Sequence, residues 1–385
     1  MTPRTSGSAA ASVASTSAST GGTSSGVDGM AGIYPTWKGR AGSQLRATIK
    51  CVLPPVTRSV LGACTAVLLL AAPACSMGGS TAAGPEPESS PPSSALEPPP
   101  AVKGMPEWEP LSTLQTPRDD FATAVVGDEI WNFGGMTGDR GNRLDSIEVY
   151  DTSTDRWRLY DGVMPEGIAS FEGAAVGDQV FLFGGLDKDT NASDFSATLD
   201  TSTGTWRQLP SLPHPRYAHT VTLHDGFIYV IGGEAVSGPV RAVDIFDPRT
   251  ETWTSGAPMP KARGSHDAAS AGDVIYVLGG WLDGGPTDLV QVYDPAADAW
   301  TTTEPLPEPV SRAGAAVLDG KLWVSYHQFS AALDLSSGTW APANPLTVSR
   351  HGLGYVATGG KIYGIGGCTE TPLRDVRSVD VLDPV

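Results

Sequence analysis

The C-terminal part of the chain repeats one set of landmark residues at a period of about 50 residues, and this repeat limits the possible folds more than any other feature. Tryptophans and glycine pairs form two series that advance in phase along the chain. The tryptophans are Trp108, Trp157, Trp206, Trp253, Trp300 and Trp340, and the glycine pairs begin at Gly134, Gly184, Gly232, Gly279 and Gly366. A unit of this length cannot bury both of its faces alone, so the units must stack against one another.

Each unit reads as four short strands separated by turns. In the third unit, a strand of small residues, AHTVTLH, is followed by the apolar strand FIYVIGG, a polar loop and a strand that ends at Asp247. The segment from this Asp to Trp253 is typical of a tight turn, because Asp and Thr side chains bond to nearby backbone and Pro fixes φ. The Trp side chain is then available to cover apolar surface between neighbouring sheets. The pattern predicts an all-β fold of four-stranded sheets.

The ordered set of Arg, glycine pair, Tyr/Phe-Asp and Trp resembles the kelch motif, and the resemblance extends over residues 108–383. It implies a β-propeller, in which blades surround a central channel. The last unit stops before its Trp strand, whereas residues 106–111 (PEWEPL) carry a Trp one period before the first complete unit. We therefore predict a six-bladed kelch-type propeller, closed by an N-terminal strand that completes the last blade and removes the open edge. A linear solenoid is the alternative, but it has no use for two complementary half-units.

Two units depart from the pattern. The second unit has Ile168 where the other units have Arg. The fifth unit has Tyr326-His327 in place of the glycine pair and almost no loop after its second strand. We therefore expect the rim of the propeller to be lower at the fifth blade.

Arginines before the first strand are the first candidates for ligand binding. They are Arg118, Arg216, Arg263, Arg312 and Arg350. In a propeller this point precedes the innermost strand, so a ring of guanidinium groups could line the channel mouth and bind a carboxylate ligand. The alternative is architectural: each repeated Arg pairs with a nearby Asp or backbone carbonyl, as a feature of nearly every blade usually does.

Two histidines are further candidates, because His219 and His266 each follow an Arg by three residues in neighbouring units. Equivalent histidines on adjacent blades could contribute to a metal site, but the sequence offers no third ligand. We therefore interpret them as structural histidines, or as ligand-binding residues beside the arginines, and predict no metal site. The sequence also has no nucleophile motif or phosphate-binding loop that would indicate a catalytic residue or a cofactor.

The N-terminal part of the chain divides into three regions. Residues 1–56 form a low-complexity leader, which a translation start assigned too far upstream would explain. Residues 76–104 form a linker rich in Gly, Ser, Pro and Glu, and the predicted propeller covers residues 105–385. Residues 57–75 combine Arg58 with an apolar run that has the length of a signal-peptide core and is too short to span a bilayer. Their ending, LAAPAC, resembles a bacterial lipoprotein signal, which implies lipidation of Cys75. A short membrane anchor or an unlipidated signal is the alternative.

Charge and cysteine content exclude two classes of function. The chain has 25 Lys and Arg against 42 Asp and Glu, a net charge of −17, so its surface repels phosphate backbones and nucleic acid is not an expected partner. Cys368 is the only cysteine within the predicted propeller. The propeller therefore has no disulfide and no cysteine-rich zinc site.

Two functions from different classes fit the sequence. The first, which we favour, is a binding module without catalytic activity, exported, anchored by lipidated Cys75 to the outer face of the cell membrane or otherwise secreted. Its ligand would be a protein or a glycan at the cell surface, and we expect a monomer. The second is a sugar-active enzyme with its site in the central channel. The kelch proteins that bacteria export, which this sequence resembles, include sialic acid mutarotases, and these enzymes need an Arg and an acid/base carboxylate. Convergence of these two groups in a deep pocket would favour the enzyme.

Overall fold

The computed structural model describes residues 101–138, 141–370 and 373–384, and the folded elements in this part of the chain are strands and turns. No helix in these ranges is long and apolar enough to cross a bilayer. Residues 1–100 lie outside the described part, and so do the predicted leader, the lipoprotein-type signal with Cys75 and most of the linker.

Six four-stranded antiparallel sheets form the six blades of a propeller, which confirms the predicted fold. Each blade is given from its innermost to its outermost strand. Blade 1 contains Ala122–Val126, Glu129–Phe133, Ser146–Asp151 and Arg156–Val163; blade 2 contains Glu172–Val176, Gln179–Phe183, Ser196–Asp200 and Thr205–Gln208; blade 3 contains Thr220–His224, Phe227–Ile231, Val243–Asp247 and Thr252–Ser255. Blade 4 contains Asp267–Ala271, Val274–Leu278, Val290–Asp294 and Ala299–Thr302; blade 5 contains Gly314–Leu318, Lys321–Tyr326, Phe329–Asp334 and Thr339–Pro342; blade 6 contains Gly354–Thr358, Lys361–Ile365, Val379–Leu382 and Trp108–Pro110.

The N-terminal strand closes the ring, as predicted. Trp108 pairs with Leu382 and Pro110 with Asp380, so the first strand of the described chain is the outermost strand of the last blade. The innermost strands contact one another in cyclic order, including those of blades 1 and 6. The ring therefore has no gap between its last and first blades.

The apolar core lies between neighbouring blades. One cluster, for example, joins Trp131 and Phe133 of blade 1 to Val180 and Leu182 of blade 2. The repeated Trp closes each layer from outside: the Trp300 indole N–H donates to the carbonyl of Ala257, in the connection that leaves the preceding blade, at 2.8 Å. Burial of both faces by stacked neighbours is what the repeat requires.

The turns before the repeated tryptophans are held by the Asp that ends each third strand. In blade 5, one carboxylate oxygen of Asp334 accepts hydrogen bonds from the backbone N–H groups of Ser336 and Ser337, both at 2.9 Å. These bonds, with one from the Ser336 hydroxyl, lower the pKa of Asp334 to about 2. The turn predicted from Asp and its following polar residues is therefore an Asp-centred turn.

Four short hairpins follow the second strands of blades 1, 3, 4 and 6 and project from one end of the propeller, which we call the loop face. Their strands are Met136–Thr137 with Asn142–Arg143, Glu234–Ala235 with Gly238–Pro239, Trp281–Leu282 with Gly285–Pro286, and Cys368–Glu370 with Leu373–Asp375. Blade 5 has no such hairpin: Tyr326 pairs directly with Phe329 across a tight turn. The rim is therefore reduced there.

Candidate functional site

Four of the five candidate arginines lie inside the blades. Arg118, Arg216, Arg263 and Arg350 are completely buried. Each donates to a backbone carbonyl of its own blade and to a polar side chain of the third strand, as Arg216 does to the carbonyl of Val230 at 2.9 Å and to the carboxylate of Asp244 at 2.6 Å. The corresponding partners are Glu148 for Arg118, Gln291 for Arg263 and Asp380 for Arg350. These guanidinium groups hold strands of a blade together and do not line the channel mouth.

Blades 2 and 5 replace this polar pair with apolar residues. Blade 2 has buried Ile168 at the Arg position, and Ala197, also buried, at the third-strand position equivalent to Asp244. Blade 5 has buried Val310 and Ala331 at the same two positions. Both members change together, because an unpaired charge in a blade interior would be costly.

Arg312 is not the fifth member of the arginine series, which corrects the sequence alignment. In each blade interface, a backbone N–H after the second strand donates to the carbonyl of the next blade's series residue; Gly233 donates to Arg263 and Gly280 to Val310, both at 2.9 Å. Val310 therefore occupies the series position, and Arg312 lies two residues later. The short spacing around blade 5 hid this offset.

His219 and His266 fasten neighbouring blades to each other. The Nε2–H of His219 donates to the carbonyl of Phe183 in blade 2, and that of His266 to the carbonyl of Ile231 in blade 3, both at 3.0 Å. Burial lowers the pKa of each imidazole to about 3, so both rings are neutral. Both histidines therefore recur for an architectural reason: each donates a hydrogen bond across one of two successive blade interfaces.

Six residues, one per blade, form a closed ring of backbone hydrogen bonds at the channel mouth. Each N–H donates to the carbonyl of the equivalent residue in the preceding blade, at 2.7–2.9 Å. The members, with their φ angles, are Asp120 (50°), Ser170 (53°), Ala218 (50°), Ser265 (55°), Arg312 (54°) and Gly352 (61°). Five of them carry a side chain in the left-handed region, which persists only where the surrounding structure enforces it.

Arg312 and Asp120 form an ion pair within this ring. The guanidinium Nη1 of Arg312 lies 3.0 Å from Oδ2 of Asp120, which also accepts a hydrogen bond from the Ser170 hydroxyl at 3.0 Å. The Asp120 charge raises the pKa of Arg312, and the Arg312 side chain is 36% exposed. Arg312 is therefore a permanent cation that solvent and ligands can reach, unlike the four buried arginines.

Two carboxylic acids, Glu172 and Asp267, lie just below the ring and face the channel. Oε2 of Glu172 accepts from the backbone N–H of Val221 at 2.7 Å, and Oδ2 of Asp267 accepts from that of Ala315 at 2.7 Å. Burial, and then the Asp267 charge, raise the pKa of Glu172 well above its usual range, and burial raises that of Asp267 to about 7. Asp267 can therefore exchange a proton near neutral pH.

Three cavities meet at Arg312 on the loop face. The cavity at the channel mouth has a volume of about 80 Å³ and is lined by the ring, Glu172 and Asp267. Two larger cavities flank it: one of about 340 Å³ reaches Asp119 and Cys368, and one of about 420 Å³ reaches Glu234 and Trp281. Ordinary small-molecule sites occupy roughly 300–1,000 Å³, so the flanking cavities are large enough for a ligand and the mouth cavity is not.

Sequence reasoning missed Asp119, Asp120, Glu172 and Asp267 as members of the site. None of them belongs to a motif, and equivalent positions in other blades hold different residues, such as Ala218 and Ser265 for Asp120. Alignment of the six units at the residue level marks only Glu172 and Asp267, because acidic side chains there replace small residues at the start of the innermost strand.

Comparisons with known proteins agree with this architecture. Residues 120–326, more than half of the chain, match a family model described as the KLHDC2/KLHL20/DRC7 Kelch-repeats domain. An N-(sulfonatooxy)prop-2-enimidothioate sulfolyase of Thlaspi arvense is 29% identical, over 32% of this chain and 38% of the relative. Kelch-like protein 15 of Homo sapiens is 25% identical, over 34% and 23%, and Kelch-like protein terF of Aspergillus terreus is 33% identical, over 32% and 29%. The chain thus spans at most about two fifths of these relatives.

Proposed function

Because the chain belongs to the kelch-repeat family, we propose that it is a protein-interaction module whose binding site is the loop face around Arg312. The supporting observation is that a reachable cation and an exposed aromatic side chain share one cavity there: Arg312 and Trp281, which is 46% exposed. Arg and Trp are the residue types most often responsible for binding energy at protein interfaces. The loops rest on a rigid ring of blades, as binding loops commonly do.

The hairpin of blade 3 extends this surface. Val236, at the turn between Glu234–Ala235 and Gly238–Pro239, is 92% exposed. The Glu234 side chain accepts a hydrogen bond from the Tyr217 hydroxyl at 3.0 Å, which fixes the base of the hairpin. An apolar tip on a fixed base beside Trp281 suits contact with a folded partner or with a glycan whose apolar face can pack on the indole.

We further propose that the chain is exported and anchored by lipid at Cys75. This proposal rests on the residues of the N-terminal region, which lie outside the described part of the structure. The Pro- and Ser-rich linker after Cys75 would hold the acidic propeller away from anionic lipid. Mass spectrometry of the mature protein tests this: a diacylated Cys75 as the first residue is expected, and an intact N-terminus in the membrane fraction would contradict it.

Binding at the loop face is tested with the full-length protein as bait for cell-surface proteins and glycans. Trp281→Ala and Arg312→Gln should each weaken capture of the recovered ligand by at least about 10-fold, because each removes a central contact. Leu159→Ala is the matched control, since Leu159 is also an exposed large apolar residue but lies on the outermost strand of blade 1. Equal capture by all three variants would place the binding site elsewhere.

A sugar-active isomerase is the second candidate, favoured by one observation. Arg312 and Asp120 converge at the channel mouth above Glu172 and Asp267, whose raised pKa values suit proton transfer. The small volume at the mouth, about 80 Å³, would require the sugar to sit in a flanking cavity. Anomeric exchange of sialic acid, followed by NMR with wild type and Glu172→Gln, distinguishes the two functions: exchange that Glu172→Gln abolishes identifies an enzyme.

A further inference from the structure

Ring closure brings three potential metal ligands together at the seam between the first and last blades. Asp119 immediately precedes the hydrogen-bonded ring in blade 1, while Cys368 and Asp375 face each other across the hairpin of blade 6. One donor atom from each of the three residues lies within 4.8 Å of the other two. These residues stand at opposite ends of the propeller sequence, so no single repeat contains the cluster.

Two buried polar atoms at this seam have no hydrogen-bond partner among the described residues. Asp119 is only 4% exposed, and its Oδ1 is one of them. Nδ1 of His351 is the other; His351 pairs with Cys368 through two backbone hydrogen bonds of 2.8 and 3.0 Å. All four side chains line the flanking cavity of about 340 Å³. A buried carboxylate oxygen without a partner is costly, and a bound cation would satisfy it.

We propose that Asp119, Cys368 and Asp375 bind a divalent transition-metal ion of the Zn²⁺ type. One thiolate and two carboxylates form a donor set that Zn²⁺ accepts, and the thiolate disfavours Mg²⁺ and Ca²⁺. Three protein ligands leave a fourth coordination position open toward the cavity, as in zinc sites that bind an exogenous ligand. His351 lines the same cavity and lies outside the cluster of three.

The charges around the cluster define what the open position accepts. Arg312 and Arg374 line the same cavity, and Arg312 is already paired with Asp120. The cluster itself is rich in carboxyl groups, because Asp120 follows Asp119 in the chain and a carboxylate oxygen of Asp375 lies within 4.8 Å of one of Asp119. A cation relieves this crowding of acidic groups, while the guanidinium groups favour an anionic group at the fourth position.

A metal at this place would also join the two ends of the propeller sequence. The seam is otherwise held by backbone and side-chain bonds such as Gly367 N–H to the Arg118 carbonyl at 2.8 Å and Gly138 N–H to Asp375 at 2.6 Å. Because an ion that binds only the folded chain stabilises it, metal binding should raise the unfolding temperature.

Cobalt titration of the full-length chain tests the site, in a background in which Cys51, Cys64 and Cys75 are replaced by Ser so that Cys368 is the only thiol. We expect one equivalent of Co²⁺, a thiolate-to-cobalt charge-transfer absorption, and displacement by Zn²⁺ with a higher unfolding temperature. Adding Cys368→Ser should abolish the charge-transfer band. Adding Asp119→Asn or Asp375→Asn should weaken Co²⁺ binding by at least about 10-fold, the lower range for disturbing a metal site.

Glu370→Gln is the control, because Glu370 belongs to the same hairpin but is exposed and outside the cluster. It should bind Co²⁺ within about 2-fold of the background protein, and circular dichroism confirms that every variant is folded. The proposal is overturned if the folded background protein shows no charge-transfer band, or if the Asp119 and Asp375 variants bind as tightly as Glu370→Gln. Neither outcome depends on the partner proposed for the loop face.

Discussion

At the residue scale, Arg216 and Arg312 use the same side chain in opposite ways. Arg216 is completely buried and donates to Asp244 and to two backbone carbonyls of its blade. Arg312, on left-handed backbone at the channel mouth, keeps part of its guanidinium in reach of solvent. A buried charge is expensive to leave unpaired, whereas a reachable charge is available for a ligand. Arg312 stands two residues after the position that is equivalent to Arg216, and this offset decides which of the two roles the side chain has.

The apolar version of the pair in blades 2 and 5 provides a double-mutant test. Arg216→Ile alone should lower the free energy of unfolding by about 3 kcal/mol, because it removes the guanidinium group from the buried Asp244 carboxylate and leaves that carboxylate its contact with His214 Nδ1 at 3.0 Å. Arg216→Ile with Asp244→Ala copies Ile168 and Ala197 of blade 2 and should regain at least about 2 kcal/mol. Urea denaturation measures both. Additive losses in the double variant would contradict the pairing, and Arg312→Gln, which lies outside it, should change the unfolding free energy by less than about 1 kcal/mol.

The channel carboxyls predict how stability depends on pH. The folded-state pKa values of Glu172 and Asp267 lie above the unfolded values, so the folded chain binds more protons than the unfolded chain between them. Their contribution to stability is therefore complete below about pH 4 and is lost as pH rises through the folded-state pKa of each group, which is about 7 for Asp267.

Glu172→Gln tests this, because its amide carbonyl can still accept from Val221 and Thr220. Relative to wild type, its unfolding free energy should fall less steeply as pH rises above the ordinary Glu pKa of about 4.3, by up to about 1.4 kcal/mol per pH unit. Parallel curves for the two proteins, obtained by urea denaturation at each pH, would show that Glu172 titrates normally.

At the scale of elements, each glycine pair sets the spacing between the end of a second strand and the segments that precede the first strands of the same blade and of the next blade. Gly280 faces Gly264 of its own blade, and Gly279 faces Val310 of the next. Gly280 has φ of +101°, and a Cβ there would lie 2.8 Å from the carbonyl oxygen of Gly264. Gly284, in the turn of the same hairpin, has φ of +90° with open space around it. Backbone conformation requires both glycines, but only Gly280 also requires the absence of a side chain.

Alanine at these two positions separates the contributions. Gly284→Ala should lower the unfolding free energy by about 1–2 kcal/mol through backbone strain alone. Gly280→Ala should lose a further 1–3 kcal/mol, roughly the cost of overpacking a closed interior. Thermal and urea unfolding of the two variants provide the comparison, and equal losses would mean that the neighbouring backbone moves aside without cost.

At the scale of the whole molecule, closure depends on a strand of three residues. Trp108–Pro110 pairs with Val379–Leu382, and Trp108 packs on Tyr355 with ring centroids 5.9 Å apart. The Trp108 indole donates to the carbonyl of Asn344 at 2.9 Å, in the connection from blade 5. One side chain thereby joins the beginning of the propeller to its two last blades.

Trp108→Ala should lower the unfolding free energy by about 3–5 kcal/mol, the usual range for truncating a buried Trp. Hydrogen exchange should show the earliest loss of protection in Lys361–Ile365 and Val379–Leu382 of blade 6. Trp253→Ala is the matched control, because Trp253 stands at the same position of blade 3, in which all four strands are consecutive in the chain. The Trp253 side chain is half-buried, whereas that of Trp108 is buried. If both variants lose protection at the same places, the seam is no weaker than other blades.

The sequence was sufficient for most of the fold and for little of the site. The period of Trp108, Trp157 and their successors, with the incomplete last unit, predicted six blades and their closure, because each landmark has a geometric reason to recur. Repetition failed for Arg312, whose resemblance to the arginine series hid an offset of two residues. It also gave no signal for Asp119 and Asp120, since ligand-facing residues differ from blade to blade.

The sequence by itself determined the architecture of this protein: strand order, turn chemistry, stacking of units and the strand that completes the last blade. These features follow from local residue patterns that repeat, and a local pattern can be recognised from the sequence alone. Only the tertiary structure decided which side chains meet at the loop face. Closing the ring brings Asp119 to Cys368 and Asp120 to Arg312 across the channel mouth. Contacts between residues far apart in sequence depend on the radius and seam of the ring, which no single repeat encodes.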